Sequence, residues 1–207
     1  MNIIIAQPRL EKELKQLEAE INAHPDADVV IFPEGYINHN IELACEFARK
    51  NSIIIISGHK KPKDRAIIID REGRLLLDRA KYDNSTIVET EGIHIGLMLC
   101  DELVIQGMSN MKPTKINFIV HPIGVGMFSE DQFAEWINEV KKLATQYNTM
   151  IIGASHADGS FRDSDISIPI SYCIDKEGMV IFLSKNDVRT RILNTESRQV
   201  RTIGVQL

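Results

Sequence analysis

The stretch Ile93-His94-Ile95-Gly96-Leu97-Met98-Leu99-Cys100-Asp101-Glu102 is an apolar run that ends abruptly in a thiol and two carboxylates. A short, nearly continuous apolar run predicts a strand that is buried on both faces, as in the sheets of α/β proteins. In such sheets, ligands bind beyond the carboxyl ends of the strands. Cys100 therefore follows a predicted strand at the edge where α/β proteins bind their ligands and place catalytic residues. An isolated cysteine at such a position is nevertheless more commonly a packing residue.

Bulk composition narrows the class of protein. The chain has 207 residues, of which 43% are hydrophobic, and this is enough to bury the core of one domain spanning residues 1–207. Its net charge of -5 argues against binding to nucleic acid or to an anionic membrane, because both favour a basic surface. No apolar stretch reaches the ~18 residues of a membrane span. We therefore expect no nucleic-acid partner and no membrane partner.

The cysteines and histidines favour a reducing compartment and a site without metal. Cys45, Cys100 and Cys173 are an odd number at wide spacing, which is typical of neither a disulfide framework nor a paired metal or redox site. The six histidines include no pair at metal-ligand spacing. The N terminus lacks the basic and apolar regions of a secretory signal. The sequence thus predicts a cytoplasmic protein that uses no cofactor and no metal.

The order of apolar patterns predicts an α/β fold built from two similar halves. In each half, apolar runs alternate with amphipathic helical patterns, and a hairpin with a glycine in its turn follows. The predicted strands are 3–6, 29–32, 53–57, 66–70, 75–77, 93–99, 116–121, 150–154, 171–175, 179–183 and 200–205, and the predicted helices are 10–21, 41–50, 102–111 and 129–147. Parallel βαβ units combined with hairpins predict mixed sheets that carry helices on their outer faces.

Several segments give the chain a resemblance to a known family. The run Val29-Val30-Ile31-Phe32-Pro33-Glu34, then Lys81 directly after a glycine-turn hairpin, then the run that ends at Cys100 resemble in order and setting the nitrilase (carbon-nitrogen hydrolase) superfamily. Trp136 within its helix and the segment Ile119-Val120-His121-Pro122 are also similar to that family, so the resemblance covers nearly the whole chain. It implies a four-layer αββα sandwich, in agreement with the two halves of the pattern.

The resemblance also implies a catalytic triad of Glu34, Lys81 and Cys100. A free cysteine is mostly protonated at neutral pH, so its attack on an amide carbon needs a base, and Glu34 would be that base. Lys81 would stabilise the oxyanion of the tetrahedral intermediate, favour the thiolate and hold Glu34 ionised. The backbone N–H of Asp101 is the natural second donor to the oxyanion. The first step would leave a thioester on Cys100, which water then hydrolyses.

Two supporting positions follow from the resemblance and leave alternatives open. The family often has a second glutamate between its lysine and its cysteine, and Glu89 and Glu91 both lie in that interval. Glu89, eight residues after Lys81, is our choice, and the alternative is a solvated loop acid. His121 ends a predicted strand, where it either lines the pocket or serves packing and capping.

The chain departs from the family pattern close to its cysteine. The interval from Lys81 to Cys100 is short, as though the family's extra strand were trimmed, and Cys100-Asp101-Glu102 replaces a cysteine-aromatic-aspartate sequence. We expect cysteine-dependent hydrolysis of a non-peptide C–N bond in a small amide or N-carbamoyl compound. The alternative is a non-catalytic nitrilase-like binding or regulatory protein. A homodimer is only weakly indicated, because the extended tail that often crosses the dimer interface in the family is missing.

Overall fold

The protein forms two β-sheets and four helices within residues 1–84, 87–108, 115–160 and 166–204, which the computed structural model describes. The strands are β1 (Asn2–Ile5), β2 (Val29–Ile31), β3 (Ile54–His59), β4 (Arg65–Ile69), β5 (Leu75–Ala80), β6 (Ile87–Thr90), β7 (Ile93–Leu97), β8 (Phe118–Ile123), β9 (Met150–Ser155), β10 (Ile170–Ile174), β11 (Val180–Lys185), β12 (Arg191–Asn194) and β13 (Val200–Thr202). The helices are α1 (Lys15–Ala23), α2 (Ile41–Asn51), α3 (Glu102–Ile105) and α4 (Glu130–Gln146). None of the helices in these ranges is long and apolar enough to span a membrane.

The two sheets stack face to face between layers of helices. One sheet has the strand order β13-β12-β1-β2-β3-β4-β5 and the other has the order β11-β10-β9-β8-β7-β6. Successive side chains of a strand point to opposite faces, so Ile3 and Ile5 enter the core between the sheets while Ile4 packs under α1 and α2. A third cluster joins Trp136 and Val140 of α4 to the outer face of the second sheet. This arrangement is the four-layer αββα sandwich that the sequence predicts.

Strand direction brings the chemically important segments to the ends of the sheets. The central strands β1, β2 and β3 run parallel, as do β7, β8 and β9, and the hairpin β4–β5 returns β5 to the direction of β3. Parallel strands present their carboxyl ends at the same edge. Glu34, which follows β2, and Lys81, which follows β5, therefore lie at one edge of the first sheet.

Three local predictions were wrong, each for an identifiable reason. The first helix begins at Lys15 rather than near Leu10, because the Gln16 side chain bonds the N–H and the carbonyl of Arg9 and so holds the preceding loop out of the helix, with Leu10 exposed. The Glu11 carboxylate accepts from the N–H of Gln16 in the first turn. Helix α3 ends at Ile105, where Gly107 adopts a φ of 55° and its N–H bonds back to the carbonyl of Glu102. Residues 109–114, which contain the predicted end of that helix, lie outside the described residues, as does Val205.

The third error concerns the segment before the Cys100 strand. No strand was predicted between Lys81 and Ile93, but β6 is present there and pairs antiparallel with β7. The connection is the two-residue turn Glu91-Gly92, with φ values of 51° and 75°. Positive φ at both central residues is the requirement of a type I′ hairpin, which asparagine-glycine signals more clearly than glutamate-glycine.

Candidate active site

The fold brings Glu34 and Lys81 into direct contact beside Cys100. Lys81 Nζ lies 2.9 Å from Glu34 Oε1, and their side chains are 14% and 5% exposed. Cys100 is partly exposed as a residue, its thiol is buried, and the charges of Glu34 and Lys81 both act on that thiol. Distant parts of the chain thus bring a carboxylate, an ammonium group and a thiol into one region of the protein.

Cys100 occupies a sharp turn rather than the last position of a strand. Strand β7 ends at Leu97, and Cys100 follows three residues later with a φ of 41°, in the left-handed region that non-glycine residues rarely adopt. Its N–H donates to the carbonyl of Pro122 at 2.9 Å, so the turn still follows β8. The N–H of Leu99 donates to Glu102 Oε2 at 2.6 Å. A strained backbone of this kind persists only where the surroundings hold it, and it is common at active sites.

Burial keeps the Cys100 thiol protonated in the resting protein. Burial is the largest cause that raises its pKa, the charge of Glu34 adds to the rise, and together they bring it to about 12. Lys81 and the N–H of Gly124 oppose this rise without cancelling it. The expected preference for the thiolate is therefore only a partial effect of the lysine. At neutral pH the thiol needs a base when it attacks.

Glu34 has the properties of such a base. Burial raises its pKa from 4.5 to about 7, and the ion pair with Lys81 limits the rise. A general base is most effective when its pKa lies near the working pH. The backbone of Gly124 approaches so closely that a Cβ there would lie 2.9 Å from Glu34 Oε2. On the other side, buried His156 contacts the carbonyl of Glu34 through Nε2 at 3.3 Å.

A second carboxylate contacts the lysine, and it belongs to Asp101. Lys81 Nζ lies 2.9 Å from Asp101 Oδ1, and the hydroxyl of Tyr82 donates to Asp101 Oδ2 at 2.8 Å. The two sequence candidates lie elsewhere: Glu89 faces His94 at 3.7 Å and is 67% exposed, and Glu91 pairs with Arg71 at 3.2 Å. Glu89 thus has the exposed setting of a solvated acid, the alternative left open above, and the second carboxylate on the lysine is that of the residue that follows the cysteine.

The environment of Asp101 bears on two further expectations. Partial burial opposes its ionisation, but Lys81 and Tyr82 hold the pKa of its carboxyl below the usual value, and its own N–H contributes in the same direction. The oxyanion contact expected of the Asp101 N–H stays a prediction. Lys81, although burial disfavours its charge, has a pKa raised well above the ordinary value by Glu34 and Cys100. Its ammonium group is charged throughout the physiological range.

His121 is buried and contacts the backbone carbonyl of Cys100 instead of lining a pocket. It is fully buried, and burial lowers its pKa to about 4, so the ring is neutral at physiological pH. The carbonyl of Cys100 lies 2.7 Å from Nε2 and can only accept, so Nε2 carries the proton. Nδ1 is then the acceptor for the hydroxyl of Tyr172. The chain Tyr172–His121–Cys100 fixes the carbonyl of the turn, as a supporting role requires.

Replacing Asp101 by asparagine tests the influence of this second carboxylate. Burial is the main cause of the raised pKa values of Cys100 and Glu34, and the negative charge of Asp101 adds to both. We expect Asp101→Asn to move the pH profile of Cys100 alkylation to lower pH, with a several-fold higher rate at pH 6. Glu89→Gln is the matched variant, for which the profile should not move. A profile of Asp101→Asn that is unchanged or displaced to higher pH would contradict the assignment.

Sequence reasoning missed residues that act on the site through the backbone or through long-range contacts. They are Arg79, Glu102, His156 and Tyr172. The glycines after β8 predicted a flexible turn at the edge of the pocket, and Gly124 lies against the Glu34 carboxylate. In the part of the chain that the structure describes, no group of three or more His, Cys, Asp or Glu side chains is arranged to hold a metal ion.

Comparison with solved structures identifies the fold. An amidase from Nesterenkonia sp. AN1 superposes with a TM-score of 0.79 at 11% identity, over 94% of this chain and 92% of that chain. A carbon-nitrogen hydrolase from Helicobacter pylori G27 gives a TM-score of 0.78 at 12% identity, over 96% and 90%. A mutant of the Nesterenkonia amidase carrying acrylamide, added by Michael addition at its active-site cysteine, gives 0.76 at 12% identity, over 94% and 92%.

These comparisons confirm the nitrilase-like fold that the sequence predicted. The Nesterenkonia amidase is described as a member of the nitrilase superfamily, and each of the three structures is matched along almost its full length. No protein-family model and no curated protein sequence matches this chain. At identities of 11 to 12%, the shared fold does not by itself define an activity. The activity has to be argued from the site.

Proposed function

We propose that this protein is a cysteine-dependent amidase that hydrolyses a non-peptide C–N bond in a small amide or N-carbamoyl compound. The observation that carries the proposal is the buried contact of 2.9 Å between Glu34 and Lys81, whose charges both act on the Cys100 thiol. A carboxylate, an ammonium group and a thiol are the base, the electrostatic stabiliser and the nucleophile that such a reaction needs. The amidases of the same fold, one with acrylamide on its active-site cysteine, support this choice.

In the acylation step, the carboxylate of Glu34 takes the thiol proton while the sulfur of Cys100 bonds to the substrate carbonyl carbon. The carbonyl oxygen becomes an oxyanion beside the ammonium of Lys81, in a site where shielding from water strengthens the attraction. The carboxylic acid of Glu34 then protonates the departing nitrogen, and the C–N bond breaks. Ammonia or an amine leaves, and the acyl group remains on Cys100 as a thioester.

In the second step, the Glu34 carboxylate removes a proton from water as the water oxygen attacks the thioester. The C–S bond breaks, the acid product leaves, and Glu34 returns its proton to the sulfur. One base thus serves both steps. Because its pKa is about 7, Glu34 is present in both protonation states near neutral pH, as a group that alternately accepts and donates a proton requires.

The proposal predicts a covalent acyl-enzyme. We expect intact-protein mass spectrometry after rapid acid quenching to show an added acyl mass when the protein meets its substrate, within a panel of neutral primary amides and carboxylate-bearing N-carbamoyl compounds. Peptide mapping should place the mass on Cys100. Cys45→Ala is the matched control and should retain the adduct, because Cys45 lies in α2. Absence of both adduct and turnover across the panel would favour the alternative of a non-catalytic binding protein.

A further inference from the structure

A buried ion pair ties the segment of Lys81 to the turn of Cys100. Arg79 lies two residues before Lys81 in β5, and Glu102 lies two residues after Cys100 at the start of α3. The two nitrogens of the Arg79 guanidinium lie 2.7 and 2.8 Å from the two carboxylate oxygens of Glu102. Their side chains are 5% and 0% exposed. This bidentate geometry is the most directional form of a carboxylate–guanidinium contact.

Each member of the pair also binds backbone groups of both the Lys81 segment and the Cys100 segment. Glu102 accepts from the N–H of Tyr82 at 2.6 Å and from the N–H of Leu99 at 2.6 Å. Arg79 donates to the carbonyl oxygens of Leu97 at 3.3 Å and Asp83 at 3.1 Å. The residues on the C-terminal side of Lys81 and on the N-terminal side of Cys100 are therefore held by the same two side chains.

The segments that carry Lys81 and Cys100 belong to different sheets, so their relative position depends on contacts between the sheets. Lys81 follows β5, an outer strand of the seven-stranded sheet, and Cys100 follows β7 of the six-stranded sheet. No ladder of backbone hydrogen bonds joins β5 to β7 in the described sheets. The spacing of ammonium and thiol must then be set by side chains that span the sheets, and Arg79 and Glu102 span them where each strand ends.

Backbone strain lies next to the pair on both sides. Tyr82 and Cys100 have φ values of 69° and 41°, in the left-handed region. Such conformations persist only when neighbouring contacts fix them. The N–H groups of Tyr82 and of Leu99, which precedes Cys100, both donate to the carboxylate of Glu102. Well-packed apolar side chains of similar volume often stabilise a fold as well as a buried ion pair does, so stability alone does not explain this one.

We propose that Arg79 and Glu102 are a pair of positioning residues that set the placement of Lys81 relative to Cys100. The inference rests on the proposed function, because it concerns the geometry in which that site attacks a carbonyl carbon. Neither side chain touches the reacting atoms. They act by holding the turns that carry the ammonium and the thiol, while His121 holds the Cys100 carbonyl from the other side.

The test compares two buried arginines in the 207-residue chain. Arg79→Lys and Glu102→Gln remove the bidentate contact with little change of volume. We expect Cys100 alkylation by iodoacetamide at pH 8 to slow by about tenfold to a hundredfold, the range that a misplaced reacting group produces. With a substrate, kcat should fall while KM changes little. Cys100 alkylation in the double variant should be no slower than in the more strongly affected single variant, because the two residues act as a unit.

Arg191→Lys is the control, because Arg191 is a buried arginine whose partners are Asp187, Ser184 and Ser171. It should lower the thermal midpoint without changing the alkylation of Cys100. If Arg79→Lys and Glu102→Gln lower only the thermal midpoint, as Arg191→Lys does, the positioning role is refuted. If those two variants do not fold, Glu102→Asp replaces them, because it keeps the charge on a shorter side chain. The rate of Cys100 alkylation should fall in this milder variant as well.

The same experiment separates this inference from the proposed function. In the unsubstituted protein, the rate of Cys100 alkylation should exceed that of Cys45 at neutral pH. Equal rates for these two cysteines count against the proposed function itself. A faster Cys100 that stays equally fast in the Arg79 and Glu102 variants retains the proposed function and rejects the positioning role.

Discussion

Cys100→Ala is expected to abolish amide turnover and every covalent acyl adduct. The proposed reaction forms its C–S bond at this atom, so no thioester can form without it. Removing the nucleophile of a covalent mechanism lowers kcat by about 10⁴-fold or more, down to what binding and electrostatics alone supply. The other thiols are no substitute, because Cys45 lies in α2 and Cys173 is buried between the sheets. The loss should appear in steady-state assays and in intact-protein mass spectra alike.

Cys100→Ser is the matched variant for this experiment. It nearly preserves the size of the side chain but replaces the thiol with a hydroxyl, whose proton is much harder to remove. We expect it to fold like the alanine variant and to remain inactive within the same assay. Turnover by Cys100→Ala at more than a few per cent of the original rate, with its folded state verified by circular dichroism, would place the chemistry elsewhere in the molecule.

The layered fold was largely predictable from the sequence because its signals are local. Ile3, Ile4 and Ile5 are apolar in succession since they belong to a strand covered on both faces, with the other sheet on one side and α1 and α2 on the other. Helix α4 was equally clear, since Ser129 caps its first turn by accepting from the N–H of Gln132. Patterns of this kind depend only on neighbours within a few residues.

Elements that depend on a particular turn or on side-chain contacts with the backbone were less predictable. The hairpin of β6 and β7 depends on two consecutive residues with positive φ, Glu91 and Gly92, and glutamate seldom marks such a turn. The loop before α1 carries leucines at helical spacing, yet Gln16 bonds both backbone groups of Arg9 and keeps the segment out of the helix. Side chains that compete for the backbone override periodicity.

The candidate site also has a part that the sequence could suggest and a part that it could not. Glu34, Lys81 and Cys100 were proposed from a family resemblance in their order and setting, and the structure places the side chains of Glu34 and Lys81 in contact. Glu102 contacts Arg79 and Tyr82 across 23 and 20 residues of sequence, so no local pattern could reveal that pairing. In the sequence, Glu102 at the start of a helix is typical of an acid that interacts favourably with the helix dipole. The sequence could suggest these candidate residues, but it could not suggest the side-chain network around them.

Glu34→Gln is the second prediction with a large effect. The amide keeps the shape of the side chain but cannot take a proton from the thiol or from water. Loss of a general acid–base group costs about 10²- to 10⁴-fold, and this group serves both steps, so we expect a loss of kcat at the upper end of that range. In the unsubstituted protein, Cys100 alkylation should rise through a midpoint near pH 7, the pKa of Glu34. The variant should lack that midpoint.

The same substitution should remove a loss of stability that the folded protein otherwise shows as the pH rises through 7. Burial raises the pKa of Glu34 from 4.5 to about 7, so the folded state binds a proton more tightly than the unfolded chain does. The stability associated with the neutral carboxyl is then complete below pH 4.5 and is lost as the pH rises through 7. The difference between the two pKa values corresponds to about 3 kcal/mol, which the glutamine variant should not lose.

The measurement is the free energy of unfolding in urea at pH 5 and pH 8 for three proteins. Relative to the unsubstituted chain, Glu34→Gln should gain stability between these two pH values. Cys100→Ala should gain none, because it is inactive but keeps the buried carboxylate. An equal pH dependence in all three would mean that Glu34 is not charged in a buried setting at pH 8, and the base would have to be sought elsewhere. A gain confined to Glu34→Gln would show that the same burial that suits Glu34 to proton transfer near pH 7 also lowers the stability of the fold.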